Sequence, residues 1–553
     1  MEKISTLDKN RRKYNPKLPD CLKGNISAIS CKESAAETII PDSSELRKIL
    51  PNTFGKQYVQ FAEKGGNNTK KPLTVGVVLS GGQAPGGHNV IAGIFDSLKK
   101  ISEKSHLTGF LGGPSGILDN KAIEITKEIV DSYRNTGGFD LIGSGRTKIE
   151  TPEQFEKSLQ VCKERKLDAL VIIGGDDSNT NAALLAEYFE EKKGGILVIG
   201  VPKTIDGDLK CEYIETSFGF DTAVKTYSGL IGNIARDSKS AGKYWHFIKL
   251  MGRAASHIAL ECTLQTQPNW AIISEEVEYN KQSLESIIND VAGVIVKRSK
   301  NRENFGIVLI PEGLIEFIPE VGLLIREINK LLGDNEQYFT SLKTFEQQSD
   351  WLCSKLSPSS DKVFESLPEN IQKQLLMDRD PHGNVQVSKI ETEKLIISMV
   401  EKKLKQLKAD GEYTGKFSSQ SHFFGYEGRC AFPSNFDADY CYSLGFTATI
   451  LISEGLTGYM TSITGLSKPV SKWSPGGVPI SMLMNMEERK GKMKPVIKKA
   501  LVDMEGKPFK TFSAGRDEWA MKTSFIYPGA IQYYGPDEVC DNTTITLKLE
   551  KGN

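Results

Sequence analysis

The sequence is poor in the residues that build a metal cage, a disulfide framework or a membrane anchor. Its 553 residues include six histidines, with no HxxxH or HExxH spacing. Nine cysteines (Cys21, Cys31, Cys162, Cys211, Cys262, Cys353, Cys430, Cys441, Cys540) are odd in number, dispersed and without a CxxC pair. These counts argue against a zinc site or a disulfide scaffold and favour reduced thiols in a cytosol. Any metal is therefore expected on oxygen ligands. No run approaches the roughly 20 apolar residues a membrane helix needs, and the opening MEKISTLDKNRRKYNPK lacks the apolar core of a signal peptide. A cytoplasmic location without a membrane partner is the expectation. An excess of one charge is also missing. The 70 basic and 70 acidic residues cancel to zero at a pI near 7.0, which removes the global attraction that nucleic-acid binders use. There is no short-period repeat or low-complexity tract.

What is present is an ordinary globular composition, 39% apolar and 25% charged, in a chain too long for one hydrophobic core. Residues 1–70 are polar and mixed and are expected to form an extension packed on the surface. From Leu73 a grammar of apolar run, Gly-rich turn and helical pattern begins. LTVGVVLS (73–80), DALVIIGG (168–175), ILVIGVP (196–202), YWHFIKLMG (244–252), NWAIIS (269–274) and FGIVLIPEG (305–313) read as buried strands. Helical patterns fall at 88–100, 122–133, 153–165, 221–237 and 282–298, and one follows Ser178. Strands with little polar alternation, joined by helices, predict parallel sheets covered on both faces. The expected fold class is α/β, with two doubly wound, mostly parallel-sheet domains, a helical insertion and the N-terminal extension. The insertion, at 315–414, is rich in Glu, Lys, Leu and Ile, as in ETEKLIISMVEKKLKQLK (391–408). The expected boundaries put one α/β domain at 71–240 and the other at 241–314 with 415–553.

Ligands of such sheets bind beyond the carboxyl ends of the strands, and the strand-end loops carry the unusual residues. SGGQAPGGHN (80–89) exposes backbone amides before a helix, as a phosphate cradle or a tight turn would. GGDDSNTN (174–181) puts Asp176 and Asp177 after a buried strand, suited to Mg²⁺ or to a helix cap. PKTIDGDLK (202–210) sets Asp206 and Asp208 beside Lys203 and Thr204, suited to deprotonating an alcohol near a phosphate or to a plain Asp-Gly turn. Arg146 in IGSGRTKIE, Arg253 in KLMGRAASH and Arg429 in FFGYEGRCAF each follow a strand and a glycine, as phosphate-binding guanidinium groups or surface residues would. Glu312 sits at another strand end. The alternation of carboxylate and cation over six or seven loops fits a phosphorylated sugar, a phosphoryl donor and Mg²⁺ meeting in one cleft.

Taken in order, SGGQAPGGHN, GSGR, GGDDSNTN, PKTIDGD, KLMGR, PEG and GYEGR resemble the pyrophosphate-dependent phosphofructokinases in their long form, over the chain from about residue 10 to its end. The resemblance implies reversible phosphoryl transfer from pyrophosphate to the 1-hydroxyl of fructose 6-phosphate with Mg²⁺, the activity of a diphosphate–fructose-6-phosphate 1-phosphotransferase of glycolysis and gluconeogenesis. It implies that Gly82 and Arg146 contact pyrophosphate, that Asp176 organises Mg²⁺, and that Asp206 is the general base, with Lys203, Thr204 and Asp208 completing its loop. Met251, Gly252, Arg253, Glu312, Tyr426 and Arg429 match the sugar-phosphate segments, with Arg253 also among the catalytic residues. Lys243 matches a basic residue that relatives lend to a neighbouring subunit, which implies a homodimer or higher homo-oligomer. ATP-using relatives carry glycine at the positions of Asp177 and Lys203, so both residues point to pyrophosphate as donor. An ATP-dependent enzyme, a non-catalytic regulatory subunit and a dinucleotide-binding module are the competing readings. They are disfavoured respectively by Asp177 and Lys203, by the intact TIDGD and GGDD, and by the glycine spacing.

Overall fold

The computed structural model describes residues 4–33, 42–63, 70–377, 385–489 and 492–552. The chain divides into two compact units. Unit 1 comprises Met1–Ala223, Tyr426–Ala500 and Ile531–Asn553, and unit 2 comprises Val224–Gly425 and Leu501–Ala530.

Unit 1 is built on one large sheet. Its centre is parallel, in the order Tyr459–Thr464, Leu197–Thr204, Ala169–Gly174, Thr74–Leu79 and His106–Phe110. The strand sequences dictate this, because a run such as ALVIIG, buried at every residue, can only lie between two covered faces. The expected α/β class with mostly parallel sheets is therefore what the chain forms. Helices Gly87–Ile101, Pro152–Glu164 and Asp176–Glu191 follow the strands as the spacing predicts. The pattern at 122–133 does so only in part. Ala122–Glu124 pairs antiparallel with His106–Phe110 as an edge strand, and the helix is confined to Lys127–Tyr133 behind its Thr126 cap.

Two further expectations change. The N-terminal extension is not merely surface packing, since Ile29–Glu33 and Val59–Glu63 form an antiparallel pair that continues the sheet through Ser474–Pro479. The segment after 415 does not stay with the second domain either, because Tyr426–Ala500 and Ile531–Asn553 belong to unit 1. The cause is packing. Helix Asn435–Ser453 is buried along nearly its whole length and lies against Gly87–Ile101 at two glycines. A Cβ on Gly93 would sit 2.3 Å from the Tyr442 carbonyl oxygen, and one on Gly445 would sit 2.4 Å from that of Val90. Strands Tyr459–Thr464 and Ser474–Pro479 then join the large sheet.

Unit 2 holds a smaller, wholly parallel sheet ordered Trp270–Ala271, Phe305–Pro311, Tyr244–Leu250 and Ser419–Phe424. Residues 319–409 are largely helical, in Pro319–Asp334, Glu336–Ser341, Phe345–Cys353, Pro358–Ser366, Glu369–Leu375 and Thr392–Ala409. Part of the expected insertion, 378–384, lies outside the described residues. These helices share one apolar core with the sheet, in which Ile328, Phe364, Ile371 and Val400 join Trp245 and Val308. Lys249, buried in its strand, donates to the Ile390 carbonyl at 2.8 Å and pairs with Glu393 at 3.6 Å.

The N-terminal segment is anchored by polar groups taken out of water. The buried Arg11 guanidinium donates to Asn435 Oδ1 at 2.7 Å and to the Pro433 carbonyl at 2.9 Å, and it stacks on Tyr14 and Tyr533. Asp439 Oδ1, on the buried helix, accepts from the Tyr14 hydroxyl and the Lys17 amide, both at 2.8 Å. Burial pushes the Asp439 carboxyl up to about 7, above its unfolded value of about 3.9. The folded chain thus binds the extra proton, and the stability this contributes is full below about pH 4 and lost as pH rises through about 7. Asp439→Asn keeps the Oδ1 acceptor and removes the ionisation. Thermal melts between about pH 4 and pH 8 are expected to show a smaller decline of melting temperature with rising pH in the variant than in the parent. Parallel curves would refute the buried-carboxyl account.

Candidate active site

The first cluster lies at the carboxyl edge of the large sheet in unit 1. The Gly81 amide donates to the Gly145 carbonyl at 2.9 Å and Ser178 Oγ donates to Ser80 Oγ at 2.8 Å, so the loops after three apolar stretches are stitched together. Gly81 has φ +85°, a conformation open to glycine, and neither Gly81 nor Gly82 has a side chain of its own to fill the space beside it. Cations take that space. Arg429 Nη2 and Arg146 Nη2 lie 3.0 and 3.8 Å from where a Gly82 Cβ would be, and Lys203 Nζ lies 3.4 Å from where a Gly81 Cβ would be. Three cations around bare backbone form a seat for a compact polyanion.

Carboxylates adjoin it. Asp176 opens helix Asp176–Glu191, and the exposed Asp177 pairs with Lys148 at 3.3 Å. Strand Leu197–Thr204 carries Lys203 and Thr204 to its end, where Phe218–Gly219 pairs with both. The Asp206 amide donates to Thr204 Oγ1 at 3.0 Å and Ser217 Oγ donates to the Thr204 carbonyl at 3.1 Å, which fixes the TIDGD turn. Burial lowers Lys203 to about 8, while neighbouring Asp206, Asp176 and Asp208 oppose that shift. Its ammonium is thus desolvated but held among carboxylates. Asp208 is buried, and its carbonyl accepts from the Ala500 amide at 2.7 Å.

The second cluster lies at the carboxyl end of the smaller sheet in unit 2. Glu312 is buried, and its Oε2 accepts from the Gly252 amide at 3.2 Å. Burial raises its carboxyl. Gly252 has φ +123°, and the Met251 amide donates to the Phe424 carbonyl at 3.0 Å. Arg253 pairs with Glu316 at 3.1 Å. Four of the expected residues, Met251, Gly252, Arg253 and Glu312, therefore converge.

Three expected residues stand differently. Arg429 and Tyr426, grouped with the sugar-phosphate segments, fall in unit 1, where the Arg429 guanidinium faces Gly82 and stacks at 5.2 Å on the exposed Tyr426 ring. Lys243 is exposed at the amino end of strand Tyr244–Leu250. Seven strand residues separate it from Met251, about 26 Å at the usual rise, so within one chain it does not join the Arg253 cluster.

Two cations were missed by sequence reasoning. Lys148 lies two residues beyond Arg146 and pairs with Asp177. Lys499 comes from the far end of unit 1, and its ammonium lies 3.5 Å from Asp176 and 3.7 Å from Asp208. Neither ends an apolar strand or follows a glycine, so the strand-end rule passes over both. Among the described residues, no group of three or more His, Cys, Asp or Glu is placed to hold a metal, and no helix is long and apolar enough to cross a membrane.

Known proteins resemble this chain. The family model described as phosphofructokinase matches residues 74–452. The chain is 57% identical to the pyrophosphate–fructose 6-phosphate 1-phosphotransferase of Treponema pallidum, over 99% of this chain and 97% of that one. It is 55% identical to the protein of the same name from Porphyromonas gingivalis, over 99% of each chain. The crystal structure of a pyrophosphate-dependent phosphofructokinase from Marinobacter aquaeolei superposes with a TM-score of 0.53 at 16% identity, covering 82% of this chain and 93% of that one, a likeness of fold alone. With the family model spanning the glycine-rich first loop through the buried helix, and relatives matched end to end, the chain belongs to the phosphofructokinase family.

Proposed function

We propose that this protein transfers a phosphoryl group from pyrophosphate to the 1-hydroxyl of fructose 6-phosphate, reversibly, giving fructose 1,6-bisphosphate and phosphate. The observation that carries this reading is the meeting of Lys203, Arg146 and Arg429 over the side-chain-free Gly81–Gly82 backbone, next to the TIDGD turn. Relatives bearing the name of this activity, aligned over nearly the whole chain, support the same substrates.

The amides of the 80–87 loop and the three cations seat the donor, and Arg429 serves the donor rather than the sugar. Asp206 accepts the proton of the 1-hydroxyl as that oxygen bonds to phosphorus, and the bridging P–O bond breaks to release phosphate. Thr204, donated to by the Asp206 amide, keeps the turn in register. Lys203 faces the charge that moves to the leaving phosphate, and its burial strengthens that interaction. In unit 2, Arg253 and the Met251–Gly252 backbone bind the sugar phosphate, with Glu312 fixing the Gly252 amide. Lys243, distant from Arg253 along its own strand, serves a neighbouring subunit of a homodimer or higher homo-oligomer. The protein acts in the cytoplasm.

Mg²⁺ is the cofactor of this reading, and when bound it supplies positive charge to the phosphate oxygens. Asp176, with Asp208 beside it, would hold the ion. Two carboxylates that converge on a single ammonium suit a hard cation that prefers oxygen ligands.

Asp177 and Lys203 set the donor. The Asp177 carboxylate, held toward Lys148, crowds and repels the α-phosphate of ATP, while Lys203 adds charge where a compact pyrophosphate ends.

A coupled assay with fructose 6-phosphate tests the reading, with pyrophosphate expected to support turnover and ATP expected to support far less. ATP as the better donor would overturn it. Asp206→Ala is expected to lower kcat by about 10²-fold or more, and an undiminished rate would remove Asp206 as the base. Asp177→Gly combined with Lys203→Gly is expected to raise KM for pyrophosphate and to admit measurable ATP-dependent turnover. Without any ATP-dependent rate in the double variant, the steric explanation of donor choice fails.

A further inference from the structure

Lys499 contacts both carboxylates that the reading above assigns to the metal, and it does so from a remote part of the chain. It follows the antiparallel hairpin Met484–Arg489 and Lys492–Ile497, and its backbone is fixed on both sides. The Ile497 amide donates to Thr180 Oγ1 at 3.2 Å, the Lys498 amide to the Leu483 carbonyl at 2.9 Å, and the Ala500 amide to the Asp208 carbonyl at 2.7 Å. Thr180 lies one turn past Asp176 on the same helix. The hairpin end is thereby attached to both carboxylate-bearing loops, and the Lys499 ammonium reaches Asp176 Oδ2 at 3.5 Å and Asp208 Oδ2 at 3.7 Å.

We propose that Lys499 is a built-in counter-cation of the metal site, holding Asp176 and Asp208 together in the free enzyme and ceding that position to the divalent ion, after which its ammonium faces the donor's phosphate. Two carboxylates that share one cation repel each other once it is removed. A vacated pair binds any incoming dication more tightly, because nothing need be displaced. With Lys499 present, the dication competes with a tethered ammonium until pyrophosphate brings additional negative charge to the site. The lysine thus makes divalent binding depend on the donor and suppresses capture of a bare metal ion. Its side chain is 40% exposed, which leaves it room to swing and keeps the electrostatic effect moderate. Lys499 is a positioning residue in the free enzyme. This inference rests on the proposed metal role of Asp176.

The test is a Mn²⁺ binding isotherm, read by electron paramagnetic resonance of the free ion without pyrophosphate, on the parent and on Lys499→Met, Lys499→Arg and Asp176→Asn. Lys499→Met keeps an unbranched side chain, one atom shorter, and removes its charge. It is expected to bind Mn²⁺ about 10-fold more tightly than the parent, the order of one screened charge–charge interaction, while Lys499→Arg returns to the parent value. In the presence of pyrophosphate the difference between parent and Lys499→Met is expected to shrink or reverse, since the variant then lacks a phosphate contact. A lysine of merely structural importance would loosen the carboxylates and weaken Mn²⁺ binding on removal. Unchanged or weaker affinity in Lys499→Met therefore overturns the proposal. If instead Asp176→Asn leaves the Mn²⁺ isotherms of the parent unaltered with and without pyrophosphate, it is the metal assignment of Asp176 that has failed.

Discussion

Charge compensation at the carboxyl edge of the large sheet is the constraint on which the first cluster depends. Asp176, Asp206 and Asp208 lie close enough to Lys203 to oppose the effect of its burial, and a set of carboxylates at such range is tenable only with cations interleaved. Lys203 and Lys499 supply them on the carboxylate side, while Arg146 and Arg429 remain over the glycine backbone. The arrangement is therefore polarised, with cations over the glycine backbone on one side and carboxylates on the other. A donor made of phosphates with a divalent ion has that same polarity.

Backbone packing makes this polarity possible. A parallel sheet brings the carboxyl ends of Thr74–Leu79, Ala169–Gly174 and Leu197–Thr204 to one edge in register. The loops leaving that edge are then held by main-chain and hydroxyl bonds, Gly81 to Gly145 and Ser178 to Ser80, so the charged side chains need not hold them. Side chains that carry no structural load remain available to a ligand. Arg146 and Arg429 both lie beside Gly82, where a Cβ would meet Arg429 Nη2 at 3.0 Å and Arg146 Nη2 at 3.8 Å.

The sequence made the local half of this plain. Continuous apolar runs ending in Gly and Asp identified the parallel strands, and the loops after them contained Gly82, Asp176, Asp206 and Arg253, whereas the segment expected as a strand before Arg146 forms only an isolated bridge from Gly145 to Ser80. Legibility fell where the determining contact was distant in the chain. The short segments Ile29–Glu33 and Val59–Glu63 carry little periodicity, and they become strands because Ser474–Pro479 offers an unpaired edge. Helix Asn435–Ser453 is buried on nearly every side, so its pattern gives no direction, and the close approach at Gly93 and Gly445 places it in unit 1. Arg429 was found by its motif, but its place beside Gly82 was not, because a motif fixes residue type and local turn and leaves the neighbour across the fold open.

Lys499 shows the same limit most sharply. In PVIKKALVDM nothing distinguishes it from Lys498, which carries an identical side chain one residue earlier. The difference lies in the backbone. With the Ile497 amide on Thr180, the Lys498 amide on Leu483 and the Ala500 amide on Asp208, an extended segment alternates its side chains, and the residue at 499 is the one turned to the carboxylates. Shifting that segment by one residue would exchange the two lysines, so the identity of the cation is decided by hydrogen-bond register. Residues assembled by register between remote parts of the chain leave no local pattern, while those assembled by a strand and its own following loop do.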